Sequence, residues 1–151
     1  MEKKRILVVD DEKDILETLK DILERKGYSV DTAETGKEAI EKSKNELYNL
    51  ALLDIVLPDI EGTELLTKLH GTMPRMMKIM VTGSPSLQYA MRALNLGADA
   101  YILKPVNPKE LLKTIEDKLR EQSEIEMLSE EKVAEWMNTR LRKLKQPGTA
   151  Q

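Results

Sequence analysis

The chain has 151 residues, 40% hydrophobic and 34% charged, with a net charge of −3. That is enough for one ordinary folded domain plus a short appendage, and the mild acidity gives no electrostatic basis for nucleic-acid binding. There is no cysteine, which excludes disulfides, thiolate metal sites and cysteine nucleophiles, and no apolar run has the length of a signal core or a membrane span. A cytoplasmic protein without a membrane partner is the expectation.

With no Phe, one Trp and four Tyr, the core must be aliphatic. Short apolar runs alternate with amphipathic helical patterns, which argues for βα units around a parallel sheet. Ile6–Val9 reads as the first strand, followed by Ile15, Leu16, Leu19, Ile22 and Leu23 at helical spacing and a stop at Gly27. Tyr28–Ala33 is the second strand. Thr35 then caps a helix, with Glu38 as its capping-box partner. The wholly apolar Leu50–Leu53 suits a strand covered on both faces. Pro58 and Gly62 mark a loop before a helix carrying Leu65, Leu66 and Leu69. Lys78–Val81 is the fourth strand. Ser84-Pro85 reads as a cap and first helical position, and Ala90, Met91 and Leu94 form the expected buried face of a helix ending at Gly97. Ala100–Leu103 is the fifth strand, and Asn107-Pro108-Lys109-Glu110 opens the fifth helix.

From about Arg120 onward no strand follows. Gln122, Glu126 and Ser129 fall where the seam of Leu112, Ile115 and Leu119 would continue, so one unbroken coiled coil is not expected. Ser129 offers a second N-cap, after which Val133, Trp136, Met137, Leu141 and Leu144 share a face and Pro147-Gly148 closes the segment. Such a short helix is marginal alone and must pack on the domain, on a second copy or on a partner.

In an open parallel sheet, function collects at the carboxyl ends of the strands. The first strand ends in Asp10-Asp11, the third in Asp54, the fourth in Thr82 and the fifth in Lys104-Pro105. Taken singly, each residue has an ordinary explanation as a cap or surface group; it is their concurrence at one edge that points to chemistry. Carboxylates converging within about 4–5 Å repel by several kcal/mol, at an effective dielectric of ~20, unless a proton or cation is present. Oxygen-only ligands select a hard ion, and a sparse set suits Mg²⁺. One carboxylate could then act as a nucleophile toward phosphorus, with a lysine offsetting phosphoryl charge and a threonine hydroxyl donating to it.

The segments Val8-Val9-Asp10-Asp11-Glu12, Leu53-Asp54-Ile55-Val56-Leu57-Pro58, Val81-Thr82-Gly83 and Tyr101-Ile102-Leu103-Lys104-Pro105 resemble the receiver domain of two-component response regulators. The resemblance implies an α/β, doubly wound, five-stranded parallel sheet, flavodoxin-like with order 2-1-3-4-5, and an extra C-terminal helix. It implies Asp54 as phosphoacceptor, and Asp10, Asp11, Asp54 and the Val56 backbone carbonyl around Mg²⁺. Lys104 would pair with the phosphoryl group, Thr82 would be the switch hydroxyl and Tyr101 the aromatic switch. The Lys104-Pro105 bond would be cis. Val56 and Ser84 would tune phosphoryl lifetime, and the apolar Val56 implies slow self-dephosphorylation. Glu12 is assigned only to the start of the first helix, and His70 to solvated surface.

The expected organisation is a receiver over residues 1–121 and a helical extension over 122–151 without an effector domain. The expected function is a stand-alone response regulator, not an enzyme. It would be phosphorylated by a sensor histidine kinase and would switch the surface of the fourth helix, fifth strand and fifth helix. A homodimer could form through that surface or through the C-terminal helix. A phosphatase of the haloacid-dehalogenase type uses similar groups, but needs a second Asp two residues after its nucleophile, which Asp10-Asp11-Glu12 does not supply. A pseudo-receiver that binds partners without phosphorylation is the remaining alternative.

Overall fold

A computed structural model describes residues 3–69, 75–83 and 86–145. In chain order they form β1 (Arg5–Val9), α1 (Lys13–Arg25), β2 (Ser29–Ala33), α2 (Gly36–Asn45) and β3 (Leu50–Leu53). These are followed by α3 (Gly62–Lys68), β4 (Met77–Thr82), α4 (Leu87–Asn95), β5 (Ala100–Leu103) and α5 (Pro108–Lys145). All neighbouring strands pair in parallel, in the order β2-β1-β3-β4-β5. This is the doubly wound, flavodoxin-like fold with a C-terminal helix that the sequence predicts.

The period-2 geometry of the strands divides the core into two layers. Leu7, Val9, Ala51, Leu53 and Met80 face one side, where Ala39 of α2, Leu65 and Leu66 of α3 and Ala93 of α4 cover them. Ile6, Val8, Leu50, Leu52, Ile79 and Val81 face the other, against Leu16, Leu19 and Leu23 of α1 and Leu111, Ile115 and Leu119 of α5. Both faces of β3 are therefore dry, which is why its four residues are all apolar.

Helix boundaries follow local chemistry. The Thr35 hydroxyl accepts from the Glu38 amide, and the Glu38 carboxylate reaches back to the Glu34 amide, one residue before the cap. Gly27 and Gly97 take positive φ just beyond α1 and α4, a conformation that favours glycine. Asn107 Oδ1 accepts from the amides of Lys109 and Glu110 at the start of α5.

Two expectations need correction. Helix α4 is capped by Ser86, which accepts from the Tyr89 amide, and it rests on the sheet through Ala93, while Met91 and Leu94 are exposed. The apolar arc of this helix stands opposite its polar face of Gln88, Arg92 and Asn95, with Ala93 at one side of the arc. Most of the arc is left exposed, so periodicity alone does not give the buried face. Helix α5 runs unbroken for 38 residues, and Ser129 lies inside it rather than capping a second helix. Its first half is nucleated by packing on the sheet, and extending an existing helix is far easier than starting one. Ser84-Pro85, His70 and Pro147-Gly148 lie outside the described residues.

The packed half of α5 ends on a polar anchor. Gln122 is buried; its amide group donates to the backbone carbonyls of Asn49 and Arg75, and its carbonyl accepts from the Asn49 side chain. The loop after β3 is held as closely. A Cβ on Gly62 would lie 2.2 Å from the Asp54 carbonyl oxygen and 2.6 Å from the Ile55 Cα. Gly62→Ala must therefore displace the Asp54 backbone, and a loss of about 1–3 kcal/mol is expected from such overpacking. Urea denaturation checks this, as a lower midpoint at unchanged slope.

Candidate functional site at the carboxyl edge of the sheet

Asp10, Asp54 and Lys104 each sit where a ladder hydrogen bond carries a strand one step further. The Asp10 amide donates to the Ala33 carbonyl, Asp54 to Val9 and Lys104 to Thr82. The sheet thus fixes the backbone from which each side chain projects. β1 and β3 are adjacent although β2 intervenes in sequence, so Asp10 and Asp54 flank the crevice where strand order reverses.

The side chains of Asp10 and Asp54 are nearly buried and meet at one cation. Lys104 Nζ lies 2.8 Å from Asp10 Oδ2 and 3.3 Å from Asp54 Oδ2. The other Asp10 oxygen accepts from the Glu12 amide, and the other Asp54 oxygen from the Val56 amide. Burial pushes the Asp54 carboxyl above its usual range; the Lys104 charge opposes this and the Asp10 charge adds to it. For Lys104, burial acts to lower the pKa, but the Asp10 hydrogen bond and the charges of Asp54 and Asp10 outweigh it, so the ammonium is held upward. The two shifts have different leading causes, burial for Asp54 and the paired carboxylates for Lys104.

The ligating oxygens of Asp10, Asp11 and Glu12 lie within 4.8 Å of one another, with Asp10 buried and the other two exposed. An all-carboxylate set of this kind fits a hard divalent cation that keeps part of its water shell. Asp54 is joined to this group through Lys104.

Thr82 is buried at the end of β4. Tyr101 is partly buried against the α2–α4 layer, and burial raises its phenol pKa. It lines a surface groove with Ser86, Leu87, Ala90, Leu103 and Glu110. The Lys104–Pro105 peptide is cis. The Val56 side chain is 68% exposed, and its backbone bridges to Glu61. The site position Ser84 is outside the described residues.

Comparison with known proteins identifies the family. The family model for the response regulator receiver domain matches residues 6–116. The chain belongs to the receiver family. A solved receiver domain protein (CheY-like) from Methanospirillum hungatei JF-1 is 56% identical at a TM-score of 0.78, covering 82% of this chain and 98% of that one. A two-component response regulator from Clostridium difficile is 35% identical at a TM-score of 0.74, covering 78% and 97%. The alkaline phosphatase synthesis transcriptional regulatory protein PhoP of Bacillus subtilis is 39% identical over 128 residues, which is 85% of this chain and 53% of that protein. The chain thus spans about half the length of the curated relatives it matches.

Three residues of this receiver carry more than their sequence context suggests. Glu12 joins the carboxylate group as well as preceding α1; its adjacency to Asp10-Asp11 was the available signal. Asp59 accepts from the amides of Gly36 and Lys37, tying the loop after β3 to the N-terminus of α2 across more than twenty residues, and no spacing announces such a pair. Gln122 was legible only as a polar residue on an apolar seam.

The raised Asp54 pKa has a stability consequence. The folded state binds the Asp54 proton more tightly than the unfolded chain does, so stability falls as pH rises from the unfolded carboxylate range through the folded pKa. Asp54→Asn removes that penalty and leaves Lys104 paired with Asp10. It should raise Tm at neutral pH by a few degrees, with the gain vanishing below the ordinary Asp range. Calorimetry across pH checks both the sign and the window.

Proposed function

We propose that this chain is a two-component response regulator that accepts a phosphoryl group on Asp54 from a phosphohistidine on a sensor histidine kinase. The observation that carries the reading is the convergence of Asp10 and Asp54 on the Lys104 ammonium at the strand-order reversal. In the transfer, an Asp54 oxygen forms the new bond to phosphorus as the phosphorus–nitrogen bond of the donor breaks and the imidazole takes the electron pair. Lys104 lies close enough to Asp54 to turn toward the incoming phosphoryl oxygens and offset their charge. Thr82, at the neighbouring strand end, would donate its hydroxyl to one of them. Asp10 and Asp11, with the Val56 carbonyl and Asp54, would hold Mg²⁺, and Glu12 stands near enough to contribute through water. Bound there, Mg²⁺ would neutralise part of the charge on the acidic pocket and the phosphoryl oxygens.

Engagement of Thr82 would draw Tyr101 inward and shift the population of the α4-β5-α5 surface, where a few kcal/mol of differential stabilisation suffices. Output would then pass through protein–protein contact, including self-association on that surface. The receiver unit would comprise residues 1–121 and the extension 122–151. The protein would work as a cytoplasmic phosphoacceptor rather than as a turnover enzyme. Among the described residues, no helix is long and apolar enough to cross a membrane.

The test is intact mass after incubation with acetyl phosphate. One phosphoryl adduct is expected with Mg²⁺, none without it and none on Asp54→Asn; an unmodified parent under all conditions would move the pseudo-receiver reading to the front. The apolar, outward Val56 offers no hydrogen bond to an attacking water, so the adduct should persist for minutes or longer. Loss within seconds in a quench time course would contradict that role for Val56.

A further inference from the structure

The acidic pocket and the sheet leave one large feature unused, the distal half of α5. Beyond Gln122, the side chains of Ile125, Met127, Leu128, Val133, Trp136 and Met137 are each more than half exposed. At 3.6 residues per turn they spread over more than half of the helix circumference. An exposed apolar surface of this extent marks an interaction site rather than a solvated face.

Charge identifies the occupant. Residues 121–135 contain six glutamates and one lysine, whereas residues 136–145 contain four basic residues and no acidic one. Two copies laid parallel would set acid against acid and base against base. Laid antiparallel, the acidic stretch of each meets the basic stretch of the other. Met127, Ala134, Met137 and Leu141 recur at spacings of seven, three and four, a heptad seam in which Ala134 lets the backbones approach. Glu130 takes the remaining inward position, while Ile125, Leu128 and Trp136 lie outside the seam. Glu126 and Arg140 then fall on the same flank of that seam, where flanking positions of antiparallel partners face each other.

We propose that residues 123–145 pair antiparallel with the same segment of a second copy. The chain is then a homodimer with its two receivers at opposite ends of a two-helix rod. The pairing uses no residue of the acidic pocket, so it stands or falls independently of the phosphoacceptor reading.

Sedimentation equilibrium of the full chain, without phosphodonor, should show a reversible dimer. Arg140→Glu should weaken it at least tenfold, and so should Glu126→Arg. An equimolar mixture of the two variants should recover dimer, which also shows that neither is merely misfolded. Because the chain has no cysteine, a spin label on Met127→Cys reports the direction of pairing. Antiparallel packing across this seam offsets the two labels by roughly 25 Å along the axis, at 1.5 Å per residue, whereas parallel packing brings them into near contact. A monomer at all concentrations, near-contact labels, or a dimer that ignores the charge reversals but is lost on Leu94→Glu would each overturn the proposal.

Discussion

Lys104 holds together two carboxylates that water would otherwise have to separate. Asp10 and Asp54 are buried at the ends of adjacent strands, and both direct an oxygen at the same ammonium. Loss of Lys104 would leave both carboxylates buried without a counter-charge, the kind of change that typically costs about 3–5 kcal/mol. The pair of pKa shifts shows that the compensation is incomplete: Asp54 is pushed up by burial in spite of Lys104, and Lys104 is held up by its acidic neighbours in spite of burial. With Asp11 and Glu12 at the rim, the pocket stays short of positive charge. A site in that condition favours a divalent cation and tolerates a phosphoryl group only with one nearby.

The rest of the domain can be understood as what this cluster requires. Reversal of strand order between β1 and β3 places the two carboxylates side by side. The loop after β3 must then cross close over the Asp54 backbone, which is why Gly62, with no Cβ, donates its amide to the Ile55 carbonyl there. Asp59, further along the same loop, is tied to the amides that open α2. At the opposite edge of the sheet the polar anchor is Gln122, which satisfies carbonyls at the N-terminal ends of β3 and β4. The sheet is thus pinned by charge at one edge and by neutral hydrogen bonds at the other.

The sheet and the pocket were largely legible in the sequence because their signals are local and redundant. Apolar runs such as Leu50–Leu53 admit one environment, and four strand ends each contributed a polar group of the right kind. What escaped was set by non-local geometry. Asp59 and α2 are far apart in sequence, so their bond has no periodicity to betray it. Met91 and Leu94 look like a core face, yet the one fully buried residue of α4 is the small Ala93. The apolar arc of α4 is wider than the strip it packs, so its rotation is set by tertiary packing.

The continuity of α5 exposes a different limit. Reading Ser129 as a cap weighs a local preference against a seam interrupted by Gln122 and Glu126, and in an isolated peptide that comparison would be fair. Here the helix has already been nucleated by Leu111, Ile115 and Leu119 against the sheet and fixed in place by Gln122, so each further residue adds a hydrogen bond without a new nucleation cost. Basic residues help at its far end, since Arg142 lies in the last turn of the helix, where positive charge complements the helix dipole. Arg140 also stacks over the Trp136 ring at 4.9 Å, shielding part of an exposed aromatic. Interruption of an apolar seam therefore ends the packing of α5 on its own domain without ending the helix. The turns beyond that point carry their apolar residues into solvent, and it is the separation of these two endings that makes the extension a surface in its own right.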